Sequence, residues 1–132
     1  MISMNCIALT GISRQVLKDL MTNRLRTIEI RSPQNFFTIR AALPGDRIFL
    51  TEATFTDVVA GTSGLIALVK EVQTMTHRTV QSSDYYYEEI ESQAARVQLQ
   101  LLGLGRARRI VSFEPGQPLT LEVDEVRHCS AR

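Results

Sequence analysis

Apolar positions recur along this chain with two periods, and turn signals separate them every 10–15 residues or so. Residues 6–9 are a short apolar run that reads as a first strand. Thr10-Gly11-Ile12 breaks it, and Ser13 is placed to cap a helix over 14–21. Val16, Leu17, Leu20 and Met21 give that helix one apolar stripe, which Thr22-Asn23 ends. Residues 27–31 alternate strictly, with Ile28 and Ile30 facing inward and Thr27, Glu29 and Arg31 outward. Pro33 stops the strand. Residues 36–42 read as a further extended piece. Pro44-Gly45 carries a type II turn signature and feeds a strand over 47–51.

Thr54 and Asp57 resemble a capping box and Gly61 a helix stop, which predicts one or two helical turns over 55–60. Residues 65–74 read as a long strand, apolar in its first half and so buried on both faces, with 75–80 continuing it after a bend. Residues 84–95 are pulled two ways. Three consecutive tyrosines favour a strand, whereas Glu88-Glu89-Ile90-Glu91 and Ala94-Ala95 favour a helix, the choice made here. Residues 96–101 alternate as a strand, and Gly103-Leu104-Gly105 reads as a turn. A strand over 106–113, a turn over 114–118 and a last strand over 119–126 complete the chain.

Six to eight short strands with two or three short helices predict an α+β fold, one domain spanning 1–132. A small β-barrel on a mixed sheet, with the helices peripheral, accommodates that many strands while leaving few edges exposed.

Composition narrows the function classes. The chain is 44% hydrophobic and 22% charged, ordinary for a globular protein, and has no apolar run long enough to span a bilayer. No basic residue precedes the mildly apolar start and no small-residue cleavage site follows it, so the reading is a cytoplasmic protein with no membrane partner. Cys6 and Cys129 read as two reduced thiols. With only His77 and His128 beside them, no metal and no cofactor are expected. Net charge is +1, but its distribution is uneven. Residues 1–50 hold seven basic against three acidic side chains, and residues 51–95 hold two against seven. The cations are 13 Arg to 2 Lys, and guanidinium forks suit phosphates, carboxylates and base edges.

Three constellations carry candidate chemistry. Glu29 and Arg31 share a strand face roughly 7 Å apart. The carboxylate accepts from the exocyclic amine of a base, and the guanidinium holds a phosphate or a second base edge, a pairing suited to a single-stranded nucleotide. The plain alternative is a solvated face of cross-strand ion pairs, each worth under ~1 kcal/mol. Arg26 has the parity of Ile28 and joins the pair only if the strand bends at its entrance. Arg106 and Arg108 form a second basic pair suited to phosphates or, equally, to a charged edge that resists aggregation. His77-Arg78, outside any recognisable triad, reads as structural or as the rim of a pocket. Tyr85, Tyr86 and Tyr87 offer a stacking platform, but with acidic neighbours that repel phosphate, and at least one tyrosine is expected in the core. No Gly-x-Ser-x-Gly elbow, His-Glu-x-x-His, Cys-x-x-Cys or P-loop is present.

Arg26-x-x-Glu29-x-Arg31, then Pro44-Gly45-Asp46 before a strand, then Gly61-Thr62-Ser63-Gly64 leading into an apolar strand, resembles the ASCH branch of the PUA-like superfamily over residues 24–72. That branch has Gly where this chain has Arg24 and Lys where it has Arg26, while Glu29 and Arg31 match. The whole chain is similar to a small family of uncharacterised archaeal, largely methanogen, proteins. Leu9-Thr10-Gly11-Ile12-Ser13, residues 25–32, His77-Arg78-Thr79 and residues 95–99 carry that likeness. The superfamily resemblance implies a pseudo-barrel with a cleft for RNA or a modified base. Some ASCH proteins instead hydrolyse acyl groups from modified cytidine with a Lys, a Thr and a Glu. Arg26 in place of the Lys stays protonated and is a poor base, and Glu29 stands at the place expected for the Thr.

The expectation is therefore a module that binds RNA or a nucleotide through Arg26, Glu29 and Arg31, with His77, Arg78, Arg106 and Arg108 as further contacts. A hydrolase of a modified nucleoside and a protein-interaction subunit are the alternatives.

Overall fold

The computed structural model describes residues 3–114 and 117–128. Its elements are, in chain order, β1 (Ser3–Leu9), α1 (Arg14–Asn23), β2 (Leu25–Ile30), α2 (Pro33–Ile39), β3 (Arg47–Leu50), β4 (Ser63–Ser82), β5 (Tyr87–Ser112) and β6 (Thr120–His128). One mixed sheet holds all six strands in the order β2-β5-β4-β3-β1-β6, and β5 also pairs with β6, so the hydrogen bonding runs in a ring. β1 and β3 are parallel, and the other pairs are antiparallel. The result is a mostly-sheet α+β fold with two helices.

Strand parity divides the interior in two. Leu9, Ile48, Leu50, Leu65, Ala67, Val69, Val97 and Leu99 point to one side, where Leu20 of α1 and Ile39 of α2 close over them. Ala8, Phe49, Ile66, Ala107, Leu121 and Val123 point to the other and pack on one another. Residues 48–50 and 65–67 are thus buried on both faces, which explains their unbroken apolar sequence. Complete burial of Leu20 contributes about 1.5–3 kcal/mol and fixes α1 on the sheet.

Several sequence expectations hold. Ser13 caps α1 by accepting the Val16 N–H, and Ile28 and Ile30 are buried while Thr27, Glu29 and Arg31 are exposed. Four expectations are corrected. Residues 36–42 are not extended: α2 occupies Pro33–Ile39, with Ser32 as its cap and Pro33 at its start, where a missing N–H costs nothing. Residues 55–60 form turns rather than a helix, because the Asp57 carboxylate accepts the Thr54 hydroxyl (2.7 Å) instead of a backbone donor. Residues 87–95 are strand, paired residue for residue with 74–82 of β4. Here a partner backbone outweighs the high helix propensity of Glu and Ala.

The last correction is Gly103-Leu104-Gly105, which lies inside β5 and not at a turn. A Cβ on Gly105 would stand 2.8 Å from Val123 Cγ1 and 2.9 Å from Ile66 Cδ1, so glycine is needed where strands approach closely. Gly64 is tighter still, facing the Leu50 carbonyl oxygen and the Phe49 ring, with Cζ 2.6 Å from the position of a Cβ. Gly64→Ala should therefore cost about 2 kcal/mol or more by overpacking. Urea unfolding should show this as a lower midpoint at unchanged slope.

Cys6 is buried, and burial pushes its thiol up to about 11, with Arg47 opposing weakly. Cys129 lies outside the described residues. Because the folded value exceeds the ordinary one, the contribution of Cys6 to stability is whole below pH 9 and declines as pH rises toward 11. In a Cys129→Ser background, alkylation of Cys6 at pH 8 should be at least a hundredfold slower than in urea-unfolded protein.

Candidate functional site

β2 sits at one end of the sheet order and pairs only with β5, from Leu25 opposite Gln100 to Ile30 opposite Ala95. Among the described residues its other edge makes no backbone hydrogen bond from 25 to 30. A cleft of about 270 Å³ lies along that edge, between the β1–α1 turn and the start of α2. Four successive residues, Ile28, Glu29, Ile30 and Arg31, line it. Successive side chains of a strand alternate in direction, so a wall of four consecutive residues exposes main chain as well.

The other walls are held firmly. Asn35 is buried and clasps Thr10: its Oδ1 accepts the Thr10 N–H at 2.9 Å and its Nδ2 donates to the Thr10 carbonyl at 2.7 Å. The Gly11 N–H donates to Ala53, and that of Ile12 to Thr51, pinning the turn to the segment after β3. Ser13 and Ser32, the caps of both helices, also line the cleft. Asn35 is not among the sequence candidates, since an extended segment over 36–42 leaves no helix here to position it. The Ser32-Pro33 pair was the signal for a helix start.

At the mouth, Arg31 grips Glu29 through a single oxygen: Nε and Nη2 reach Oε1 at 2.9 and 2.7 Å. Among the described residues, Oε2 has no further partner as an acceptor and Nη1 none as a donor. Arg31 also lines a second cleft of about 360 Å³, between Phe36 and Phe37 of α2 and residues 91–93 of β5. Arg31 thus borders both cavities.

The remaining sequence candidates lie elsewhere. Arg26 is half-buried and ion-paired with Asp19 of α1; β2 is regular there, and Arg26 does not line the cleft. Arg78 is tied across the β4–β5 ribbon to Glu89 (2.7 Å) and Glu91 (3.8 Å), beside an exposed His77. Arg108 faces Glu122 and Asp124, both at 3.7 Å, and Arg106 has no ion-pair partner among the described residues. Glu29 is opposite Arg96, ten residues before Arg106 on β5, a separation of roughly 30 Å along the strand. The structure therefore joins Glu29 and Arg31 and leaves the other five apart. Tyr85, Tyr86 and Tyr87 are all exposed, so none belongs to the core.

No group of His, Cys, Asp and Glu among the described residues is arranged to hold a metal ion, and no described helix is long and apolar enough to cross a membrane. A family model described as a protein of unknown function (DUF473) matches residues 4–121. The chain belongs to that family. It is 29% identical over 110 residues to an uncharacterised protein of the archaeon Methanocaldococcus jannaschii, covering 83% of this chain and 69% of the relative. No solved structure matches.

The DUF473 match takes in the hinge that aims β2 into the cleft. Arg24, the cap of α1, has a φ of 64°, a left-handed conformation that favours glycine. Arg24→Gly should relieve that strain and stabilise the fold by about 0.5–1 kcal/mol, read as a raised urea midpoint.

Proposed function

We propose that this protein is a binding module for RNA or a nucleotide, built on a PUA-like small barrel, with the cleft beside β2 as its ligand site. The observation that carries this reading is the cleft itself. Glu29 and Arg31 stand at its mouth over an open strand edge, so main-chain donors and acceptors lie beside a carboxylate oxygen and a guanidinium. That set can read the edge of an unstacked base and hold its phosphate. Its volume suits one nucleotide unit rather than a folded helix.

The left-handed Arg24 adds support for the ASCH resemblance, since the motif's Gly would occupy that position without strain. Hydrolysis is less favoured. Arg26 replaces the motif's Lys and is held by Asp19 away from the cleft. Arg106, Arg108 and His77-Arg78 would meet only a longer strand that leaves the cleft.

Fluorescence anisotropy with labelled single-stranded RNA tests this. Arg31→Ala should weaken binding of a tetranucleotide about tenfold and make it less salt-dependent. Replacing Arg106 and Arg108 by Ala should leave the tetranucleotide unaffected while weakening a strand of about twelve nucleotides. Equal affinity of the wild type and the Arg31 variant for both lengths overturns the site.

A further inference from the structure

Beyond the sheet, β4 and β5 continue together as a two-stranded ribbon, from Thr76 opposite Gln93 to Ser82 opposite Tyr87. Every residue from 76 to 93 is exposed. Val80, Tyr85, Tyr86, Tyr87 and Ile90 are among them, with Tyr85 at 96%. An isolated hairpin of this kind is marginal in water, because neither face is buried. The ribbon also has two free edges, and they differ in kind.

The β5 edge is guarded. Residues 87–94 carry Glu88, Glu89 and Glu91 and no cation, so two such edges repel each other. At its root the same edge is flanked by Phe36 and Phe37 of α2 across the second cleft. The β4 edge has neither protection. β3 and the turn before it pair with β4 only as far as Val69, and among the described residues no other backbone hydrogen bond reaches residues 70–82. Residues 71–82 hold one acid (Glu71) and one Arg (Arg78), with no Pro, Gly or Lys. Three threonines, two valines and two glutamines make up most of the rest. A long, nearly neutral, β-prone edge without guards is a template for another strand.

We infer that the β4 edge, residues 71–82, is the interface at which two copies of this chain associate, antiparallel about a two-fold axis. A second copy is the occupant because its own β4 edge is the neutral partner that the first requires. Pairing β4 with the β5 edge of a neighbour would repeat without end and form fibres, and the β5 glutamates have no cationic row on β4 to meet. Pairing β4 with β4 closes after two copies and leaves no unguarded edge on the ribbon.

Light scattering coupled to size exclusion should give twice the chain mass at concentrations of about 50 µM. The double variant Thr74→Lys, Thr76→Lys should elute at the monomer mass with an unchanged far-UV circular dichroism spectrum. If that variant does not fold, Thr79→Lys with Gln81→Lys reads the same edge nearer the tip, where no core side chain is touched. Hydrogen exchange of amides 71–82 should slow at least tenfold between dilute and concentrated wild type, while amides 87–94 change little. A wild type that stays monomeric at about 200 µM, or a dimer that survives both pairs of lysines, overturns the inference.

Discussion

One strand must satisfy three neighbours, and the remaining architecture depends on it. β5 runs from Tyr87 to Ser112 and pairs with β4 over 87–106, with β2 over 95–100 and with β6 over 103–112. It exchanges β2 for β6 on one edge where Leu101 gives way to Gly103. Register shifts against β4 at Ile66/Ala67 and Val69/Glu71, and against β6 at Leu104/Gly105, let the strand curve enough for β6 to return to β1. The close approach at Gly105 is the steric cost of that curvature. The cleft beside β2 and the free ribbon are both consequences: each begins where β5 stops sharing an edge with the closed part of the sheet.

The sequence was legible wherever burial differs between the two sides of an element. Ile28 and Ile30 against Glu29 and Arg31 gave the parity of β2, and Ser13 with the Leu20 stripe gave α1. It was misleading where burial supplies no contrast. Residues 76–93 are exposed on both faces, so no periodicity separates strand from helix there, and only the opposing backbone decides. Gly103 and Gly105 are the converse. Glycine signals both a turn and a close approach, and the distinction lies in Val123 and Ile66, remote in sequence. Pro33 was likewise read for the strand it ends and not for the helix it begins.

The arginine excess also changes meaning in three dimensions. Arg26 is spent on Asp19, Arg78 on Glu89 and Glu91, and Arg109 on Glu122 at 2.6 Å. Arg108 shares Glu122 and Asp124. These are cross-strand or helix–strand pairs at the surface, each worth under about 1 kcal/mol. Strand parity puts Glu29 and Arg31 on one face, and the structure joins them. The cleft around them depends on the clasp of Asn35 on Thr10, a contact between residues 25 apart in sequence.

Arg31 stands between the open edge of β2 and the root of the β4–β5 ribbon. It borders the β2 cleft on one side and, on the other, the cavity whose far wall is residues 91–93 at the root of the ribbon. A ribbon left free would let that wall move, because nothing beyond Gln93 is buried to hold it. Capping the β4 edge with a second copy stiffens the ribbon through main-chain bonds and, with it, one side of the cavity next to Arg31. A ligand reaching from the β2 cleft past Arg31 toward Phe36 would then meet a fixed surface and lose less conformational freedom on binding. If both proposals hold, association of two chains and recognition of a ligand would be coupled through the root of one hairpin.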